Sequence, residues 1–190
     1  MPKKLILLIG APGSGKSTDA KMIAEKHSGN ITSFSTGDLI KAEIEKGTAI
    51  GNIAKSFVEK GDLIPTGIVV ELIVDAINAA PTPVVLLDGF PGKEKQLQYF
   101  CDYIFNNDKI HVMSVLEIKV NDALAKERWI ASGRDENIFE HELASYKESL
   151  TEIEAHYDDK HTLKVIDGER DLDTVIADIN GYLESICTSI

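Results

Sequence analysis

Eight residues near the start of the chain restrict its fold more than any other feature. Gly10-Ala-Pro-Gly-Ser-Gly-Lys16-Ser17 fits the pattern G-x-x-x-x-G-K-[ST]. It follows a short continuous apolar run, Leu5 to Ile9, and precedes a helical pattern over 17–26. An apolar run of that length bounded by glycine reads as a strand buried on both faces, the setting of a parallel sheet. The loop itself makes a specific physical demand. Glycines let backbone N–H groups turn inward around phosphate oxygens with no Cβ in the way, and the following helix presents its positive end. In that arrangement Lys16 bridges the β- and γ-phosphates and the Ser17 hydroxyl reaches Mg²⁺. Triphosphate binding is therefore expected of Gly10, Ala11, Pro12, Gly13, Ser14, Gly15, Lys16, Ser17 and Thr18.

The rest of the chain repeats the alternation. Further strands are expected at 84–87, 112–118 and 163–166, with a weaker candidate at 31–34. Helices are expected near 38–46, 50–60, 67–79, 93–105, 121–131, 138–157 and 172–186. Strands alternating with helices predict an α/β fold, a parallel sheet covered by helices on both faces. The longest helix has the clearest period: Phe139, Leu143, Tyr146, Leu150, Ile153 and Tyr157 form one apolar stripe. A second buried strand ends in Leu86-Leu87-Asp88. Beside a phosphate loop, such an aspartate is expected to serve Mg²⁺.

Composition excludes several functions. With 190 residues, 43% of them apolar and 27% charged, the chain suits one globular domain. Its 31 acidic and 20 basic residues give a net charge of -11, which argues against nucleic-acid and anionic-membrane partners. No apolar run approaches the ~18 residues of a membrane span. No leader is expected, because Gly10 opens the loop where a cleavage site would stand, so the reading is cytoplasmic. Cys101 and Cys187 are the only cysteines and lack metal-ligand spacing, so neither a disulfide scaffold nor a zinc site is expected. Trp129 is expected to pack in the core or near the loop at 131–137, and the five histidines to lie at the surface.

Taken in order, Gly10–Ser17, Ser35-Thr-Gly-Asp38, Gly61-Asp-Leu-Ile64, Asp88-Gly-Phe-Pro91, Gln96, Ser132-Gly-Arg-Asp-Glu136 and Ile166-Asp-Gly168 resemble the adenylate kinase family of nucleoside monophosphate kinases. The resemblance runs along essentially the whole chain. It implies a three-layer P-loop NTPase fold with a five-stranded parallel sheet. It also implies a single domain over 1–190, with a helical NMP-binding insertion near 36–65 and a short lid near 131–137. It implies ATP and AMP, or another nucleoside monophosphate, as substrates, Mg²⁺ as cofactor, and a monomer. Lys16, Arg128 and Arg134 would be catalytic, and Arg128 and Gly168 would join the ATP site. Thr36, Lys41, Ile64, Gly89, Gln96 and Arg134 would hold the acceptor, and Ser17 and Asp88 the metal.

The chain also departs from the family it resembles. Where an arginine is expected after Pro91 it has Gly92, and where one is expected on the helix after the lid it has Glu142. A third falls on Ala131 or Ser132, and Lys41 replaces a fourth, keeping charge but losing the bidentate fork. Only Arg128, Arg134 and Arg170 are arginine, and the segment 135–159 carries nine acidic residues against one lysine. These departures keep two further readings open: a nucleotide-binding homologue with weak or lost transfer acting as a sensor or interaction module, and a kinase for a different phosphorylated acceptor.

Overall fold

In the computed structural model, which describes residues 1–60 and 63–187, the opening apolar run becomes the middle of the sheet. Strand β1 (Lys3–Ile9) is so enclosed that Leu5, Ile6, Leu7 and Leu8 have no exposed surface. It pairs in parallel with β3 (Val84–Asp88) on one side and β4 (Ile110–Lys119) on the other. Strands β2 (Ile31–Ser35) and β5 (Leu163–Asp167) add parallel edges, giving the order β2-β3-β1-β4-β5. The weak candidate at 31–34 is thus a full strand. It is β-branched and short, and its register Ile31↔Val84 through Ser35↔Asp88 is set by pairing with β3.

Successive β1 side chains point to opposite faces, so one strand serves two cores. Ile6 and Leu8 pack with Ala20 and Ile23 of α1 (Lys16–Lys26) and with Ile179 and Leu183 of α8 (Leu172–Ile186). Leu5 and Leu7 pack with Ile73 and Ile77 of α4 (Thr66–Ala79) and with Leu97 and Phe100 of α5 (Glu94–Phe105). The three-layer α/β expectation holds. Between β2 and α4 the chain forms α2 (Thr36–Lys46) and α3 (Ala49–Val58), and α6 (Asp122–Ala131) follows β4. Chain order reverses at β1, whose neighbours are β3 and β4, so a crevice opens at the carboxyl ends of these strands, where open α/β sheets bind ligands.

Helix α7 (Glu136–Asp159) buries the apolar stripe read from its period and adds a detail to that reading. Its single apolar stripe is divided between the two cores. Phe139 and Leu143 pack in the core with Trp129, while Ile153 and Tyr157 belong to the core on the other face. Its acidic face is partly neutralised by neighbours. Lys126 of α6 lies 2.7 Å from both Glu136 and Glu140, and Lys147 pairs with Asp122. Two histidines are not surface residues: His27 Nε2 lies 2.8 Å from Asn180 Oδ1, and His156 Nε2 lies 3.3 Å from Cys101 Sγ. Both are half-buried.

One carboxyl in this framework titrates near neutrality. Glu117 of β4 is 2% exposed and its Oε2 has no hydrogen-bond partner. Burial pushes its pKa up to about 7, helped by a hydrogen bond and the charge of Glu154 on α7 and opposed by Lys119. An unfolded Glu117 releases its proton near 4.5, so between 4.5 and about 7 the folded chain holds more protons. Stability from this group is complete below that window, falls as pH rises through it, and is level above. Glu117→Gln keeps the shape of the protonated form. Its melting temperature should match the parent near pH 4.5 and exceed it by several degrees at pH 8, measured by calorimetry; an equal gap at both pH values would refute the assignment.

Candidate active site

The phosphate loop turns tightly because two of its glycines have left-handed backbone. Gly13 has φ +78°, and a Cβ there would sit 2.1 Å from the carbonyl oxygen of Ala125, so α6 packs directly on the loop. Gly15, with φ +97°, caps α1. The Lys16 side chain folds back, its Nζ donating to the Ala11 carbonyl at 3.3 Å. Burial lowers the Lys16 pKa, while the carboxylates of Asp88 and Glu142 hold it up and Arg134 lowers it further.

The loop forms one wall of a hollow of about 440 Å³. The other walls are Arg128 and Trp129 of α6, Ser132 and Arg134 of the following turn, Glu142 of α7, and Gly168, Arg170, Leu172 and Val175 around the start of α8. Pro12, Gly13, Ser14, Gly15, Lys16, Ser17 and Thr18 line it directly, while the expected Gly10 and Ala11 do not. Arg128 Nη1 donates to the carbonyls of Ser14 and Gly168, at 3.2 and 2.9 Å, and so ties the loop to the turn after β5. The Arg134 guanidinium lies 4.6 Å from the centre of the Trp129 ring. That ring is buried against Phe139, and its Nε1 donates to the Asp135 carbonyl at 2.8 Å. Trp129 thus packs in the core as expected, and it also reaches the hollow.

Asp88 ends β3 beside Leu8 of β1. It is 4% exposed, and burial raises its pKa against the pull of Lys16 and of the Ser17 hydroxyl. Ser17 Oγ donates to Oδ2 at 2.5 Å, while Oδ1 is buried without a partner. A carboxylate oxygen left unpaired beside a helix-terminal hydroxyl fits a divalent cation with oxygen ligands. Among the described residues, no cluster of three or more His, Cys, Asp or Glu offers a metal cage, so phosphate oxygens would have to complete the set.

The residues expected around the acceptor gather mostly at the carboxyl end of β3, outside this hollow. The Thr36 hydroxyl donates to the Asp88 carbonyl at 3.3 Å. It does not cap α2, because the Ser35 side chain does so by accepting from the Asp38 N–H. Gly89 has φ +77° and its N–H donates to the Leu8 carbonyl at 3.0 Å. Gln96 Oε1 accepts from the Gly92 N–H at 2.8 Å, which leaves its amide Nε2 as the end not used in that bond. Ile64 packs as a half-buried residue against the core under α4. Lys41 stands apart, its side chain 75% exposed and 4.0 Å from Glu45. Gly61 and Asp62, which open the third motif, lie outside the described residues.

Three features escaped sequence reasoning. Asp19, one turn into α1, is 2% exposed and lines the hollow, with its pKa raised to about 6 mainly by burial, with Arg128 opposing and Asp88 adding. An acidic residue three positions after the loop lysine is the signal that could have found it. The Arg170 side chain lines the hollow yet pairs with Asp167 and Asp178. Leu172 and Val175, at the start of the last helix, add an apolar wall. The structure also fixes a direction that periodicity left open: Glu142 faces the hollow.

Comparison with known proteins agrees with this geometry. The family model described as adenylate kinase matches residues 8–162. The chain is similar to the adenylate kinase of Sulfurovum sp., 38% identical over 96% of this chain and 98% of the relative. It is 39% identical to that of Campylobacter jejuni, over 97% and 98% of the two chains, and 41% identical to that of Nitratiruptor sp., over 95% of each.

Proposed function

Because the chain belongs to the adenylate kinase family, it is a nucleoside monophosphate kinase, and we propose that its reaction is Mg·ATP + AMP ⇌ 2 ADP. The reading rests above all on one observation: the glycine loop, Lys16, Ser17, Arg128 and Arg134 share one hollow, with Ser17 bonded to Asp88. Two polyanions must meet for transfer, so catalysis is mostly positioning and charge neutralisation. Loop N–H groups and Lys16 hold the β- and γ-phosphates of ATP. Arg134, stacked on Trp129 and so held in place, offers its guanidinium to the transferring group. Arg128 exchanges its carbonyl partners on Ser14 and Gly168 for phosphate oxygens. The base and sugar of ATP lie along Gly168, Leu172 and Val175.

Ser17 Oγ and the unpartnered Oδ1 of Asp88 are the groups that would hold Mg²⁺. When bound, the ion neutralises charge on the phosphate oxygens. Thr36, Lys41 and Ile64, in an acceptor-binding insertion near 36–65, place AMP together with Gly89, Gln96 and Arg134. The turn within 131–137 acts as a short lid that excludes water. No general base is needed, since the acceptor phosphate is itself the nucleophile. A second reading, a nucleotide binder with weak transfer, draws on Glu142 in the hollow and Gly92 beside Gln96. A coupled assay with AMP, GMP, CMP, UMP and dTMP tests the choice. AMP should turn over at least tenfold better than the others. Turnover of another monophosphate in place of AMP would overturn the proposed acceptor, and ATP binding with turnover of none of the five would favour the second reading.

A further inference from the structure

The wall of the hollow that faces the phosphate loop carries a carboxylate. Glu142 lines it together with Lys16, Arg128, Arg134 and Arg170, and its charge acts on the Lys16 ammonium. Its neighbours on α7, Glu136 and Glu140, are both held by Lys126. No salt bridge within 4.0 Å engages Glu142 among the described residues. Arg170 is committed to Asp167 and Asp178, whereas Arg128, bonded to two neutral carbonyls, and Arg134, over the Trp129 ring, keep their charge for the phosphates. Lys16 also has Asp88 to neutralise.

A nucleoside triphosphate that enters such a space without a metal carries about two more negative charges than its divalent-cation complex. Glu142 is exposed, so solvent screens its carboxylate, but it faces the hollow and its repulsion still scales with the charge of what enters. We propose that Glu142 makes a divalent cation a condition of nucleotide binding, and not only of transfer, so that the site selects the metal-complexed triphosphate and rejects the free one. This rests on the reading that the hollow binds ATP. Glu142 acts as a specificity-determining residue: it makes no bond to the reacting phosphoryl group and works by charge on what may enter.

The single tryptophan supplies a readout independent of turnover, because Trp129 lines the same hollow. Its fluorescence is titrated with ATP in excess Mg²⁺ and again in EDTA, and the two Kd values are divided. In the parent chain the Kd in EDTA over the Kd in Mg²⁺ should be on the order of tenfold above the same ratio in Glu142→Gln, in line with the loss of a like charge facing the two extra charges of the uncomplexed nucleotide. Glu142→Asp should stay within a few-fold of the parent. Glu152→Gln removes the same charge ten residues further along α7, about 15 Å away, and should leave the ratio unchanged. Equal ratios in the parent and Glu142→Gln would overturn the inference. An equal fall in Glu152→Gln would also overturn it, reducing the effect to net charge. Failure of the parent to bind ATP in either condition would overturn both the inference and the reading beneath it.

Discussion

Lys16→Ala should lower kcat/KM for ATP by on the order of 10³-fold or more, with the chain still folded. A cation at a transferring phosphoryl group carries that scale of effect, because its field falls where charge spreads in the transition state. Here the loss is sharpened by the surroundings. Lys16 is the cation nearest in sequence to the loop carbonyls, and it answers Asp88 directly. Folding should survive, since the buried ammonium makes one 3.3 Å hydrogen bond, to Ala11, and its own desolvation works against it. Without it Asp88 loses its main charge partner, and its carboxyl should hold a proton to still higher pH. Steady-state kinetics and the Trp129 titration check the two halves separately. Activity within tenfold of the parent would remove Lys16 from the proposed mechanism.

The largest gain is expected from Gly92→Arg. The position is open: a Cβ at Gly92 would meet the Gly89 carbonyl at 3.6 Å and Gln96 Oε1 at 3.7 Å, both ordinary contacts. Its N–H bond to Gln96 survives the change, because it belongs to the backbone. Lys93 and Lys95 beside it are exposed, so the acceptor end of the cleft gains a guanidinium near Thr36, Gly89 and Gln96 that it now lacks. One charge-assisted hydrogen bond is worth about 1.5–3 kcal/mol, which converts to roughly a 10- to 150-fold rise in kcat/KM for AMP. KM for ATP should change little. An unchanged or lower value with AMP would mean that the pocket is shaped for another acceptor.

Legibility along the chain followed the strength of local constraint. The Leu5–Ile9 run and the loop after it could hardly read otherwise, since an apolar strand without alternation demands two covered faces and the loop's glycines demand backbone that other residues avoid. The ends of the helices were also readable within one or two residues, as at α7, which begins at Glu136 rather than 138 because Asp135 caps it. Side-chain direction was much less legible. Glu142 sits three residues after Phe139 and four before Tyr146, so its distance from the apolar stripe is the same whether it meets solvent or the hollow. Only the position of the loop across from α7 decides. Thr36 and Ser35 could each cap α2, and the choice depends on where Asp88 presents its carbonyl. The division of the α7 stripe between two cores left no trace in its period, because both cores accept the same residue types. Asp19 was overlooked because an acidic residue in a first turn already has a reason to be there, as a partner of the helix dipole.

Helix α7 behaves as a beam clamped at two places. Phe139 and Leu143 fix one part of it in the core beneath Trp129, and Ile153 and Tyr157 fix the other in the core across the sheet. Its 24 residues include neither glycine nor proline, so it has no built-in point of flexure between the clamps. A beam held this way cannot swing as a door. On the proposed reading, travel over the phosphates would be left to the short turn ahead of it, where Gly133 has φ +80° and Arg134 lies over Trp129, while Glu142 would ride on the beam and move little.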